Sequence, residues 1–156
     1  MKITLTLNGN KHQVDVEPRH TLTDVIRDAC GYTGTHLGCE HGVCGACTII
    51  VDGEAIRACL MFAIQADGRT IRTIEGLAQG NTLHPLQEAF VKHHALQCGY
   101  CTPGFLMLAT HALEKNPDIT DAELQDVLSS NLCRCTGYQN ILAAVQDARD
   151  TMRTPS

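Results

Sequence analysis

The sequence predicts an α+β chain in two parts, a small strand-rich domain over residues 1–76 and an all-α four-helix bundle over residues 77–156. In the first part apolar residues alternate with period two, between Asn-Gly and Asp-Gly pairs that are typical of hairpin turns. Beyond residue 76 the apolar positions recur at helical spacing, and helix start signals precede them. The boundary is expected within residues 76–84, which contain Gly and Asn and show little periodicity.

The first part is expected to hold four or five short strands around one helix. Strands are predicted over residues 3–7, 48–51, 56–60 and 71–74, with a return strand through Val14 and Val16. The helix is indicated by its apolar face, which comprises Leu22, Val25, Ile26 and Ala29. Thr21 stands where an N-cap is expected, and the helix dipole favours Asp24 in the first turn.

Four helices with short connections are predicted in the second part, as in a four-helix bundle. The first begins at Pro85, and its apolar face comprises Leu86, Ala89, Phe90 and Val91. The second begins at Thr102-Pro103 and ends at Asn116-Pro117. Thr120 and Glu123 form a capping box for the third, and the fourth covers about residues 139–149.

Composition excludes several function classes. The chain of 156 residues has a formal net charge of -5 and no basic block, so nucleic acid and anionic membranes are not expected partners. Its apolar runs are too short to span a bilayer, and its first residues lack the apolar stretch of a signal peptide. Nine cysteines in such a chain indicate metal binding or redox chemistry, and a cytoplasmic location is expected.

The first cysteine group has the spacing of plant-type ferredoxins. Cys39, Cys44 and Cys47 form C-x4-C-x2-C, and Cys59 follows after eleven residues. Four thiolates at this spacing hold a [2Fe-2S] cluster. A four-cysteine zinc site usually shows two separate C-x2-4-C pairs, whereas here there is one such pair with an extra Cys five residues before it. A Rieske centre needs a Cys with His three residues later, which the chain lacks.

The second cysteine group lies in the helical part. Cys98 and Cys101 precede the second helix, whereas Cys133 and Cys135 lie between the third and fourth helices. In an up-down-up-down bundle these two connections lie at the same end, so the four thiols are expected to converge. Their spacing alone permits either zinc or a second [2Fe-2S] cluster.

The segments GCEHGVCGACT, QCGYCTPG and NLCRCTGY, together with Cys59, resemble the small iron–sulfur subunit of the molybdenum hydroxylases, such as xanthine dehydrogenase and the aldehyde oxidoreductases. The resemblance covers essentially the whole chain. It implies a β-grasp, plant-type ferredoxin-like N-terminal domain, a helical C-terminal domain, and a [2Fe-2S] cluster on each cysteine group.

The resemblance also implies a function. Electrons would pass from a molybdopterin, in a dinucleotide form, on a large subunit through the two clusters to FAD on a medium subunit. It places Gln97 in hydrogen-bonding contact with the pterin and the thiolate of Cys135 near the pterin amino group. The assembly would be a heterotrimer or its dimer, and substrate chemistry would take place on the large subunit. The sequence shows no nucleophile–base pair on this chain and does not identify the substrate.

Two alternative functions remain open. They are a free-standing ferredoxin with an acidic docking face and a zinc-stabilised interaction module with one cluster.

Three residues depart from the pattern. His36 stands where many members of the family carry Lys. Ser130 stands where Gly is common, and strain is expected there if its φ is positive. Cys30 fits neither group and is expected to be a small buried apolar residue.

Overall fold

The computed structural model describes residues 1–154, and its first half is built on a five-stranded sheet. The strands are β1 (Lys2–Leu7), β2 (Asn10–Asp15), β3 (Thr48–Val51), β4 (Glu54–Arg57) and β5 (Thr70–Arg72). Their order is β2-β1-β5-β3-β4, in which β1 and β5 are parallel and the other neighbours are antiparallel. A mixed sheet with a helix packed on it is the β-grasp arrangement, as expected for this half.

The Asn8-Gly9 and Asp52-Gly53 pairs form the two hairpin turns, with φ between 49° and 86° at all four residues. Positive φ at both central positions is characteristic of type I′ turns, which match the twist of the strands. Because the second turn has only two residues, β4 begins at Glu54 and ends at Arg57, so the bounds expected for this strand, residues 56–60, are wrong. The chain leaves the sheet there in a 3-10 turn, Ala58–Leu60.

Two other strand ends differ from expectation. Strand β2 ends at Asp15, so the buried Val16 lies just beyond it. Strand β5 is shorter than the expected strand over residues 71–74. The reason is that the Thr73 N–H donates to the Asn8 side chain at 2.9 Å instead of continuing the ladder, and a 3-10 turn follows.

Helix α1 (Leu22–Asp24) continues as a π-helical turn, Val25–Ala29. Thr21 caps it as expected, since its hydroxyl accepts from the Asp24 N–H at 3.2 Å. Ala29 is exposed, although it was expected on the apolar face. The wider π turn, closed by the Cys30 N–H to Val25 O bond at 2.9 Å, breaks the 3.6-residue periodicity that predicted its burial.

The second half contains four helices: α2 (Pro85–Lys92), α3 (Thr102–Lys115), α4 (Asp121–Leu128) and α5 (Gln139–Arg153). Helix α2 packs on α5 and α3, and α4 packs on α3 and α5, which closes a four-helix arrangement. Val91, expected on the apolar face of α2, is 63% exposed. It lies about 100° around the helix from the buried Phe90 and so turns away from α5. Within residues 1–154, the structure has no helix long and apolar enough to cross a membrane.

Helix α3 joins the two halves by packing against strands β3 and β4. Ion pairs at the edge of this contact connect Arg72 with Glu114 at 2.9 Å and Lys115 with Glu54 at 2.5 Å. At its centre Gly104 lies directly against the backbone of Gly45. The loop that carries the first cysteine group is therefore supported by the helix that follows Cys101.

Candidate metal centres

The first cysteine group lies on the loop between α1 and β3 and on the 3-10 turn after β4. Backbone N–H groups point at its sulfurs: Cys44 N–H donates to Cys39 Sγ at 3.3 Å, and Ala46 N–H donates to Cys44 Sγ at 3.5 Å. Ala58 N–H donates to Cys47 O at 3.2 Å, which holds the turn with Cys59 beside Cys47. The structure thus brings together all four cysteines that the sequence assigns to this group.

The thiols of this group differ in their readiness to ionise. The hydrogen bond from the Cys44 N–H lowers the pKa of Cys39 to about 6. Burial raises the pKa of Cys47 to about 11. Metal ligation requires the thiolate, so binding of a metal at Cys47 would release its proton. Cys39 and Cys44, by contrast, lie at the rim of the site and are half-buried.

The second cysteine group converges as expected from the bundle. Cys135 Sγ lies 3.5 Å from Cys98 Sγ, although the two residues come from different loops. Thr136 donates to Cys133 Sγ twice, from its N–H at 3.4 Å and from its hydroxyl at 3.1 Å. Burial, followed by the neighbouring Cys133 thiol, raises the pKa of Cys101 to about 12.

A cavity of about 200 Å³ lies between the second cysteine group and the first. Its lining includes all four cysteines of the second group and, across the cavity, Gly38 and Cys44. A Cβ on residue 38 would lie 3.1 Å from Cys44 Sγ, so the glycine leaves room at that sulfur. No three His, Cys, Asp or Glu side chains of residues 1–154 form a group that could hold a single metal ion. The converging thiols, the backbone donors and this cavity fit iron–sulfur clusters, whose sulfurs accept N–H bonds.

The loops of the two groups are joined by their backbones. Leu132 N–H donates to Cys44 O at 2.8 Å, and the buried Asn131 donates from Nδ2 to Gly45 O at 3.2 Å. A Cβ on residue 45 would lie 2.0 Å from Asn131 Oδ1, and φ there is +75°, so only glycine fits. Each loop therefore fixes the position of the other.

Gln97 lies exposed beside the second group and donates from Nε2 to Cys135 O at 3.1 Å. Sequence reasoning missed Tyr138, whose hydroxyl accepts from the Cys133 N–H at 3.1 Å and whose φ is 70°. It also missed Tyr100, although the position of this residue between Cys98 and Cys101 was a usable signal.

Two residues that depart from the family pattern have simple environments. Ser130 has no positive φ, so the strain considered for it is absent. Cys30 is half-buried against the apolar core of the strand-rich half, and burial raises its pKa.

Two family models match the chain and together span most of it. The model described as "2Fe-2S iron-sulfur cluster binding domain" matches residues 5–83. The model described as "[2Fe-2S] binding domain" matches residues 73–146. Each match contains one of the two cysteine groups.

Curated relatives are similar over nearly their full length. The nicotine 6-hydroxylase small subunit of Paenarthrobacter nicotinovorans is 58% identical over 148 residues, which are 95% of this chain and 89% of that protein. The caffeine dehydrogenase subunit gamma of Pseudomonas sp. (strain CBB1) is 52% identical over 152 residues, 96% of this chain and 91% of that protein.

Solved structures share the whole fold. A chain of quinoline 2-oxidoreductase from Pseudomonas putida 86 matches with a TM-score of 0.94 and 48% identity, covering 98% of this chain and 96% of that one. Aldehyde oxidoreductase from Desulfovibrio gigas matches with a TM-score of 0.92 and 42% identity, covering 98% of this chain but 17% of that longer one.

These similarities confirm the expected α+β class and the pair of [2Fe-2S] cofactors. They also confirm the role as an electron-transferring component of a multi-subunit oxidoreductase, and they favour that role over a free-standing ferredoxin. The cysteine assignments and the domain boundary remain predictions. The chain belongs to the family of small iron–sulfur subunits of the molybdenum hydroxylases.

Proposed function

We propose that one [2Fe-2S] cluster is held by Cys39, Cys44, Cys47 and Cys59 and the other by Cys98, Cys101, Cys133 and Cys135, in domains over residues 1–76 and 77–156. The clusters connect a molybdopterin dinucleotide on a large partner subunit with FAD on a medium one, in a heterotrimer or its dimer. Each cluster, when bound, takes up and releases one electron at a time. The chain's own residues bind the irons, donate hydrogen bonds to the sulfurs and limit the access of water.

The observation that carries this proposal is an apolar rim around each cysteine group. The rim of the first group comprises the exposed side chains Val43, Leu60 and Phe62. The rim of the second group comprises Leu96, Leu132 and Tyr138, with 39–49% of each residue exposed. Clustered exposed apolar side chains mark surfaces that a partner covers. A carrier that diffuses between partners would instead present an acidic face at its cluster.

The rim of the second group is assigned to the large subunit. Cys98 and Cys135 are both exposed there, so a partner can approach their sulfurs closely. Gln97 uses Nε2 to bind Cys135 O, which leaves its Oε1 free to accept from a pterin N–H. The first group, joined to the second through Cys44 O and Leu132 N–H, then faces the medium subunit.

The proposal includes a cytoplasmic location. Eight of the nine cysteines are assigned to metal clusters, and cysteines used in this way, without disulfides, are usual for proteins of a reducing compartment.

The direct test is anaerobic purification of this chain together with the chains that accompany it. Iron, zinc and molybdenum are counted, and the reduced sample is studied by low-temperature electron paramagnetic resonance. We expect about four irons per chain, no stoichiometric zinc, two distinct [2Fe-2S] signals, and molybdenum in a larger accompanying chain. About two irons with one zinc would contradict the assignment of the second group. A full iron content without accompanying chains would contradict the proposed association with a large and a medium subunit.

Charged substitutions in the two rims are expected to release different partners. Leu96→Glu changes the second rim without replacing a neighbour of a cysteine, and we expect it to weaken retention of the large, molybdenum-containing chain. Phe62→Glu changes the first rim and is expected to weaken retention of the medium, flavin-containing chain, because each variant places a charge in an apolar contact. The measurement is the composition of the complex after size-exclusion chromatography.

Val91→Glu is the matched control, since Val91 is 63% exposed but lies on α2 outside both rims. It should retain both partners. Loss of the same chain from both rim variants would show that the two rims do not serve different subunits.

A further inference from the structure

The rings of His36 and Tyr100 are stacked, with centroids 4.7 Å apart and an interplanar angle of 24°. His36 Nδ1 also lies 2.7 Å from Tyr100 O, and the Tyr100 hydroxyl donates to Leu37 O at 2.6 Å. Three contacts therefore tie Tyr100 to the segment just before Cys39. They connect Tyr100 with residues that lie 63–64 positions earlier in the chain.

Tyr100 lies between the two cysteine groups. Its N–H donates to Cys98 Sγ at 3.5 Å, which places its backbone at the second group. Its ring reaches toward the first group, because a Cβ on Gly38 would lie 3.8 Å from Tyr100 Cε1 and 3.1 Å from Cys44 Sγ. The side chain thereby forms one wall of the cavity between the groups, and it is 49% exposed on its outer side. If the ring turned outward, the cavity would also open to water on the side of Gly38.

We propose that His36 is a positioning residue that holds Tyr100 as a wall between the two cysteine groups, and that this wall sets the reduction potential of the cluster on Cys98, Cys101, Cys133 and Cys135. This inference rests on the proposed function, since it requires that cluster to be present. Neither His36 nor Tyr100 would be a ligand of the cluster. Both act through the access of water and through the alignment of the Tyr100 N–H with Cys98 Sγ.

The direction of the effect follows from charge. A cluster held by four thiolates is anionic, and reduction adds a further negative charge. Water stabilises the more highly charged form, so solvent exposure is one of the factors that set the potential of such clusters. Without the His36 ring, Tyr100 loses its stacking partner and the bond to its carbonyl. The second cluster then becomes more exposed, and its potential shifts to more positive values.

The test is a redox titration of the anaerobically purified complex, followed by electron paramagnetic resonance so that each cluster is observed separately. For His36→Ala we expect a positive shift in the potential of the second cluster and a smaller change in that of the first. His36→Phe keeps a flat ring and loses only the Nδ1 contact, so its shift should be smaller. Tyr100→Phe keeps the ring and loses only the bond to Leu37 O, and it should behave like His36→Phe.

His12→Ala is the matched control, because His12 forms an edge contact with Tyr32 at 5.5 Å in another part of the chain. It should leave both potentials unchanged. If His36→Ala lowers thermal stability but leaves the second potential at the wild-type value, or shifts the first potential as much, the inference is wrong. Absence of a second [2Fe-2S] signal in the wild-type complex would instead overturn the proposed function, so the two failures are distinguishable.

Discussion

The Cys133→Ser variant is expected to lose the second cluster and keep the first, with about half of the wild-type iron and a single [2Fe-2S] signal. Cys133 is buried, with 8% of the residue exposed, and Thr136 donates to its sulfur from both its N–H and its hydroxyl. A serine oxygen is a poor substitute for a soft thiolate ligand of iron. Because electrons pass through both clusters, turnover of the assembled complex with its acceptor should fall to background.

The measurements are iron content, electron paramagnetic resonance and acceptor reduction on the same preparation. Cys44→Ser is the reciprocal variant and should lose the first cluster while keeping the second. Cys30→Ser is the matched control, since Cys30 belongs to neither group, and it should keep the wild-type iron content. Loss of iron in Cys30→Ser comparable with that in Cys133→Ser would show that the assignment of ligands is wrong.

The Gly104→Ala variant is expected to be less stable than the wild type by about 1–3 kcal/mol. Ala is the better helix former by about 0.5–1 kcal/mol, so an ordinary helical position would give the opposite sign. Here the new Cβ would lie 2.3 Å from Gly45 O and 3.1 Å from Ala46 Cα. Both are backbone atoms, and Gly45 O also accepts from the Thr48 hydroxyl at 2.6 Å. The contact can be relieved only by moving α3 away from the first cysteine loop.

Thermal unfolding of the iron-loaded protein measures this effect, followed by circular dichroism and by bleaching of the visible absorbance. We expect the Tm to fall by about 2–10 °C. Thr102→Ala, in the same helical turn, is the matched control, because the Thr102 hydroxyl is buried without a hydrogen-bond partner and its loss costs little. A Gly104→Ala protein as stable as the wild type would contradict the close approach of α3.

Local signals in the sequence predicted most of the fold. The Asn8-Gly9 turn and the capping box of Thr120 with Glu123 were readable because the residues that determine them are at most three positions apart. Burial was less predictable where geometry departed from the regular helix. Ala29 is exposed because a π turn intervenes, and Val91 is exposed because Leu86, Ala89 and Phe90 already fill the face toward α5.

The convergence of each cysteine group could also be predicted, because spacing and bundle topology determine it. The contacts between the groups could not. Leu132 and Cys44 are 88 positions apart, and nothing in either loop specifies the other as its partner. The stack of His36 on Tyr100 is likewise a tertiary contact without a local pattern, and the sequence marked His36 only as a residue that stands where many members of the family carry Lys.

The bond between Leu132 N–H and Cys44 O has a consequence for how this unit can be reused. The distance between the two centres is determined by the hydrogen bond between their loops and by the packing of α3 against β3. It does not depend on the length of the connecting stretch over residues 77–84. That stretch can therefore be lengthened, or the ends of the unit spliced to other polypeptides, without altering the gap an electron must tunnel across. We therefore expect the two centres to keep the same spacing when this unit forms part of a longer polypeptide.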